Sequence, residues 1–454
     1  MECLAASSHT VLVPPLGPAR TYVIEGGRPL RGTITVGGAK NAVTKQMVAT
    51  LLTDEPCLLQ NVPHTTEIAA TLRMLAGLGT QHTWLGRSTL ELHTPRLADY
   101  AIGPEHERLN RIPLLAISPL LHRAGEARVP LPGGCPIGAR PADFHLSLLG
   151  QMGARVEVDP EGFVASGRLH GAMVELPYPS VGATESALLA AVLAPGESII
   201  ANAAVEPEIM DTIGFLQSMG ARIRLQPRRK IIVEGVRRLF GARHRVIGDR
   251  TEAASFAFAA AATGGRIEVR GVDGRHLEPL VEVFRALGGC WETTPLGIAF
   301  SCRSGLRPVF VQTGPWPGFS TDWLPALVVA LTQASGRSGV HETVFESRLG
   351  YAEMLSAAGA RFSVSDWCVG GPCRFCGGGH LHSCTVRPSR LRAARLAAPD
   401  LRGGFAMVVA ALVADGRSEI LHMERVERGY AYLADKLDAL GARLHIAYGM
   451  RRAA

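Results

Sequence analysis

What this 454-residue sequence lacks narrows the field first. It has no apolar run near the roughly 18 residues that a membrane-spanning helix needs, the strongest stretch, residues 405–414, being about half that. Aromatic residues are only 6%, and 47 Lys and Arg against 40 Asp and Glu leave a net charge of +7 with no long basic run. A nucleic-acid binder would show a basic stripe with interleaved aromatics. That class is set aside, and so is a membrane-surface role. Scattered arginines suit small anionic ligands better. The nine cysteines are an odd number, and the N-terminus has no basic region ahead of its apolar part, which two prolines interrupt. Neither a disulfide framework nor a secretory leader is expected. The expectation is a soluble protein of the reducing cytoplasm, a monomer or weak homo-oligomer, with a disordered extension over residues 1–21.

What is present is a repeat. A chain of this length with 47% hydrophobic residues exceeds one ordinary core and implies two or three domains. The signature L-x-x-(L/M)-G-A-R, in looser and stricter forms, recurs six times with its central glycine at Gly79, Gly153, Gly220, Gly288, Gly359 and Gly441. The period is roughly 70 residues. Glycine at that place fits the left-handed residue just past a helix C-terminus. Alternating stretches such as RVEVD, RIRLQ and RLHIA follow and read as strands. Each unit also holds a segment apolar almost all round, among them IPLLAISPLL, EAASFAFAAAA and GGFAMVVAALVA. A helix without a polar face is buried. Three units per domain, buried helices central, with the cut near residues 248–250, is therefore expected over an open solenoid, whose repeats are shorter.

Several of these helices begin at polar or glycine-containing turns, at residues 37–41, 179–186, 248–252, 319–323 and 399–404. Helix N-termini are ready anion sites, yet every buried helix must start somewhere, and for any single turn plain capping is the favoured reading. The stretch LPGGCPIGARPADFHL, residues 131–146, is more specific. Arg140 and His145 stand near Cys135, where fixed positive charge activates a thiol and glycines let a substrate approach the backbone. A structural cysteine in a surface turn is the competing reading.

The stretch GGCPIGARPADFHL closely resembles the active-site loop of the UDP-N-acetylglucosamine enolpyruvyl transferase family. The resemblance runs from Tyr22 to Tyr448 through GGAKNAV, NVPHTTEI, PSVGATES, NAAVEPEIMD, DRTEAASF, GFSTDW, HETVFESRLG, PDLRGGF and ERGYAYLADKL. It implies an α/β fold shared with 5-enolpyruvylshikimate-3-phosphate synthase, which has no counterpart of the cysteine loop. That fold is a two-domain inside-out α/β barrel of six βαβαββ-type units. The domains would be residues 22–39 with 250–454, and residues 40–249 carrying the Cys135 loop. The resemblance further implies that Lys40 contacts phosphoenolpyruvate and Asn41 the acceptor sugar. Cys135 takes part in proton delivery and product release and can form a covalent adduct. Arg111, Arg140, Arg402 and Arg428 match the arginines that bind the donor's charges and hold the closed state. Asp322 matches the carboxylate facing the acceptor hydroxyl, and Asp400 a neighbour of the donor site. Residues 140–145, including Pro141, Asp143 and His145, match loops holding the uridine nucleotide, together with Ser180, Val181 and Gly182. Val344 is a further substrate contact.

The chemistry agrees with these assignments. Phosphoenolpyruvate carries a carboxylate and a phosphate, so several fixed cations are needed to hold it and stabilise leaving phosphate. Addition needs an acid for the methylene carbon, Cys135 or Lys40, and a base for the hydroxyl, Asp322. Neither a cofactor nor a metal is required. The expected activity is transfer of the enolpyruvyl group to a sugar hydroxyl of a uridine nucleotide, most simply the 3-OH of UDP-N-acetylglucosamine in peptidoglycan precursor synthesis. Two alternatives stay open. One is a specialised paralogue that modifies the ribose of UMP in nucleoside-antibiotic biosynthesis. The other is a non-catalytic nucleotide-binding paralogue, which would need neither Cys135 nor Asp322.

The sequence departs from the family pattern in two places. Tyr178 stands where the common form has a lysine that helps hold the acceptor's diphosphate, and Ser347 and Leu349 replace an asparagine and an aromatic near the acceptor sugar. The segment CVGGPCRFCGGGHLHSC, residues 368–384, reads as a glycine-rich loop insertion. Its alternative is a tetrahedral metal site formed by Cys373, Cys376, His380 and Cys384, with His382 also in range.

Overall fold

The computed structural model describes residues 19–302, 305–369, 371 and 373–448. The strand Arg20–Glu25 begins just ahead of the expected end of the N-terminal extension, whose residues 1–18 lie outside the described residues.

The six all-apolar segments form the helices Lys40–Ala49, Ile112–Ala124, Val181–Ala191, Arg250–Ala262, Leu324–Leu331 and Leu401–Val413. Every residue of Arg250–Ala262 and of Leu324–Leu331 is buried, as a helix lacking a polar face requires. The described residues also form six sheets, five of four strands and one of three. One sheet illustrates the unit. Arg266–Arg270 pairs antiparallel with Gly297–Ser301, which pairs antiparallel with Cys290–Thr294, while Arg31–Thr35 lies parallel on the far side. The stretches RVEVD, RIRLQ and RLHIA are strands, the last extended to Tyr448. The repeated glycines turn each helix into its strand with φ between 80° at Gly441 and 102° at Gly220, a region closed to most side chains.

Packing divides into two cores of three units each, so the architecture is the two-domain inside-out α/β barrel and not a solenoid. The first core holds residues between Ala39 and Val246 around the helices Lys40–Ala49, Ile112–Ala124 and Val181–Ala191. The second joins Tyr22–Val36 to residues between Ala253 and Ala442 around the other three helices. The chain crosses from one core to the other twice, and the two crossings lie side by side. Gly38 bridges Gly248, Ala39 N donates to the Ile247 carbonyl at 2.7 Å, and Asp249 N donates to the Gly37 carbonyl at 2.9 Å. The backbones are too close here for any side chain. A Cβ on Gly38 would fall 1.9 Å from the Asn61 carbonyl oxygen, and one on Gly248 1.8 Å from that of Gly271. Among the described residues no helix is long and apolar enough to cross a membrane.

Candidate functional site

A cleft of about 690 Å³ opens between the two cores and takes its walls from both. The buried helices point their N-terminal turns at it. Plain capping accounts for most of these turns. Ser180, Asp249, Ser320 and Asp400 each accept hydrogen bonds from backbone amides one turn on, whereas Lys40–Ala49 has no side-chain cap.

The loop carrying Cys135 lies between the strand Glu126–Pro130 and the helix Asp143–Gln151. Gly133 packs against the Arg108 carbonyl where a Cβ would come within 1.8 Å, and Gly134 has φ 126°. Both positions demand glycine. The loop leaves its own core and docks on the other. Ala139 N donates to Glu346 Oε1 at 2.6 Å, Ser347 N to the Ile137 carbonyl at 3.0 Å, and the Arg140 guanidinium lies 5.4 Å from the Phe345 ring centre. Half-buried Cys135 thereby packs against the second core. Arg111 is spent on the loop itself. It donates to the carbonyls of Arg140 and Pro141 at 2.6 and 3.1 Å, and burial, then Arg140, push its pKa down to about 10, still a cation at neutral pH.

Opposite the loop stands an array of buried charge. Asp322 Oδ1 meets Arg348 Nη2 at 2.6 Å and Oδ2 meets Arg402 Nε at 3.3 Å. Burial alone would raise its pKa, but Arg402, Arg348 and Lys40 together hold it well below the usual carboxylate range. Arg402 is buried with Nη1 and Nη2 free of any hydrogen-bond partner while its Nε holds Asp322. Its guanidinium also lies 5.1 Å from the Tyr430 ring centre, and a buried guanidinium in a cleft wall with donors to spare is suited to receive an anion. Arg428 bridges the cores by donating to Glu67 Oε2 at 2.8 Å and to the Leu109 carbonyl at 3.1 Å. Lys40 lies in the same wall, its pKa lowered by burial, with Lys45, Arg402 and Arg428 adding to the shift against Glu67.

The far end of the cleft is lined by Asn41, Pro141, Asp143, Ser180, Val181 and Gly182. His145 Nδ1 lies 2.7 Å from Ser186 Oγ, and burial, then Arg111 and Arg140, drive its pKa down to about 3, so the ring is neutral. A Cβ on Gly182 would meet that ring at 3.2 Å. Lys45 faces Glu185 at 3.7 Å, whose buried carboxyl is pushed up to about 7. Over Tyr178 sits the Arg374 guanidinium, 4.4 Å from the ring centre, and Val344 completes this wall.

Among the residues expected from the sequence, Asp400 is the one that does not line the cleft. Its carboxylate caps the Leu401–Val413 helix through Arg402 N and Gly403 N at 2.9 and 3.1 Å. The metal set also differs. Of Cys373, Cys376, His380 and Cys384, only Cys373 joins a cluster, and its companions are His341, Cys368 and His382. Cys384 belongs to the second core and His380 is exposed, while Cys376, also exposed, lies beside the cluster in hydrogen-bond reach of Cys368. The reason is sheet pairing, since His341 pairs with Ser383 from a neighbouring strand that local spacing does not reveal. Sequence reasoning also passed over Arg348, Glu67 and Arg374. Arg348 and Glu67 carried a signal, as the cation inside HETVFESRLG and the carboxylate inside NVPHTTEI, whereas Arg374 fell in the segment read as a loop insertion.

The chain is similar to known proteins over most of its length. A family model for EPSP synthase (3-phosphoshikimate 1-carboxyvinyltransferase) matches residues 24–437. The UDP-N-acetylglucosamine 1-carboxyvinyltransferase of Chlamydia abortus is 41% identical over 429 residues, 93% of this chain and 97% of its own length. That of Paramagnetospirillum magneticum is 40% identical over 433 residues, with coverage of 93% and 97%. Among solved structures, the enolpyruvyl transferase NikO from Streptomyces tendae superposes with a TM-score of 0.81 at 21% identity, covering 96% of this chain and 100% of that one. EPSP synthase from Acinetobacter baumannii gives 0.71 at 17% identity, with coverage of 94% and 100%.

Proposed function

The chain belongs to the EPSP synthase family of carboxyvinyltransferases, and on that premise we propose that it transfers the enolpyruvyl group of phosphoenolpyruvate to the 3-OH of UDP-N-acetylglucosamine, releasing phosphate. The observation that carries this reading is Arg402, a buried guanidinium with unpaired donors in the wall of a cleft shared with Lys40, Arg428, Cys135 and Asp322. A dianionic three-carbon donor needs such an array, and a neutral substrate does not.

Residues 22–39 with 250–454, and residues 40–249, are the two closing bodies. In the scheme, the donor's phosphate and carboxylate settle on Arg402, Arg428 and Lys40, bridging both bodies and excluding water. Cys135 or Lys40 delivers a proton to the methylene carbon as the acceptor oxygen bonds to C2, and Asp322 takes the hydroxyl proton. The resulting tetrahedral adduct loses its C2–O bond to phosphate and a methyl proton, restoring the double bond. Anion binding to Arg402 also draws its charge away from Asp322 and frees that carboxylate to act as a base. The nucleotide lies along Pro141, Asp143, His145 and residues 180–182, with Asn41 and Val344 beside the sugar. Asp400 serves by fixing the helix that presents Arg402. Peptidoglycan precursor synthesis in the cytoplasm is part of the same reading.

Tyr178, in place of a lysine, favours a second acceptor, the ribose of UMP, but Arg374 over that ring supplies a cation in compensation. The test offers UDP-N-acetylglucosamine and UMP separately with phosphoenolpyruvate and measures phosphate. Release with the first acceptor is expected; release with UMP alone selects the second reading, and release with neither ends both.

A further inference from the structure

We propose that His341, Cys368, Cys373 and His382 form a zinc-class metal site that anchors the loop presenting Arg374 to the cleft. The four donor atoms lie within 4.8 Å of one another. Cys368 Sγ stands 3.6 Å from Cys373 Sγ and 3.5 Å from His382 Nε2. Tetrahedral zinc with Zn–S of about 2.3 Å and Zn–N of about 2.0–2.1 Å sets sulfur to sulfur near 3.8 Å and sulfur to nitrogen near 3.6 Å. These two spacings are those of a tetrahedral site, and the four donors stand close enough to converge on one ion.

The surroundings point the same way. His382 is fully buried, and its Nδ1 donates to the His380 carbonyl at 2.6 Å, which turns Nε2 toward the sulfur of Cys368. This is the support that a metal-bound imidazole receives from a backbone acceptor. His341 is also fully buried. Its Nδ1 faces Gln312 Oε1 at 3.2 Å, and its Nε2 has no hydrogen-bond partner. A buried polar atom without a partner carries a cost that a metal ligand would not. Phe375 N donates to Cys373 Sγ at 3.4 Å, an amide-to-sulfur contact that steadies a thiolate. Two thiolates and two neutral imidazoles cancel the charge of a divalent ion, and two protons leave to solvent as the thiols bind.

The site has a mechanical consequence. Arg374 follows Cys373 directly and hydrogen-bonds the Val344 carbonyl, and its guanidinium lies 4.4 Å from the Tyr178 ring centre and 4.8 Å from that of Phe375. Fixing Cys373 fixes Arg374 at the cleft wall. That this cation meets an acceptor phosphate rests on the functional reading above; the metal does not.

Full-length chain purified with zinc and passed through a desalting column is assayed for metal by mass spectrometry. About one zinc per chain is expected. A Cys368→Ser, Cys373→Ser double variant should lose it, as should His341→Gln, while Cys290→Ser, in another sheet, should keep it. Should a ligand variant fail to fold, cobalt loaded into the wild type still decides, through tetrahedral bands and thiolate charge transfer that the Cys290→Ser chain retains. Chelation of the wild type should raise KM for the nucleotide at least threefold and leave KM for phosphoenolpyruvate unchanged. A wild type without stoichiometric zinc, or zinc indifferent to the double variant, overturns the assignment, and so does retention of zinc in His341→Gln. Metal content is read without turnover, so a zinc-bound but inactive chain would sink the functional reading alone.

Discussion

Replacing Asp322 with Asn tests the centre of the proposed chemistry, because the change keeps the shape and removes the charge. In the closed form Asp322 neutralises Arg348 and Arg402, whose side chains are 2% and 3% exposed. Breaking a buried ion pair from one side costs about 3–5 kcal/mol. The variant should therefore lose roughly that much stability, and phosphate should restore part of it, since Arg402 has free donors to receive an anion. Loss of a general base lowers kcat by about 10²- to 10⁴-fold. KM for phosphoenolpyruvate should stay level or fall, because the arginines no longer share their charge with a carboxylate. Thermal unfolding with and without phosphate, with continuous phosphate-release kinetics, measures all three. The pH dependence gives an independent check. The folded pKa of Asp322 is depressed, so its stabilisation is fully present above the usual carboxylate pKa and is lost progressively as pH falls from there through the depressed value. Any acid limb of kcat/KM near neutrality must then belong to another group. A kcat within about tenfold of the wild type would refute the base assignment, and a kcat loss matched by a rise in KM for phosphoenolpyruvate would reduce Asp322 to a structural counter-ion.

Three further outcomes follow from the same geometry. Arg428→Ala strands Glu67 in a buried position and removes a tie between the two bodies; closure should weaken by about 3–5 kcal/mol. Small-angle scattering with both substrates bound should then report a larger radius than for the wild type, and an unchanged radius would contradict the tie. Arg374→Ala should raise KM for the uridine nucleotide about 10- to 150-fold, the loss of one hydrogen bond to a charged phosphate. Tyr178→Lys in that background should recover part of the loss, and steady-state kinetics on each substrate separately will tell. His145 has a folded pKa of about 3 against an unfolded value near 6.5, so the unfolded chain binds the extra proton between those limits and stability falls as pH drops through that window. His145→Gln should flatten that limb of the Tm profile, and an unaltered profile would show that the imidazole is not held neutral.

The parts of this protein legible in its sequence are those whose cause is local. The glycine after each outer helix is required by its own φ, and each apolar helix announces burial by having no polar face, so the six units and their two cores can be counted before any contact is known. The cysteine loop is legible for a related reason, since Gly133 and Gly134 are demanded by close approach and positive φ. Asp400 marks where this reasoning stops. An aspartate before a helix serves equally as a cap or a ligand, and only the direction of its carboxylate, turned back on Arg402 N, decides. Buried charge lies further out of reach. Glu67 is paired with Arg428, and Arg348 with Asp322, by the meeting of separate units, and His341 joins Cys368 through the register of a sheet. Burying an ion costs several kcal/mol unless a partner is present, so the identity of each partner is a property of the assembled fold. The cleft gathers its charges from both cores, and for that reason its electrostatics, unlike its architecture, appear only once the two halves are brought together.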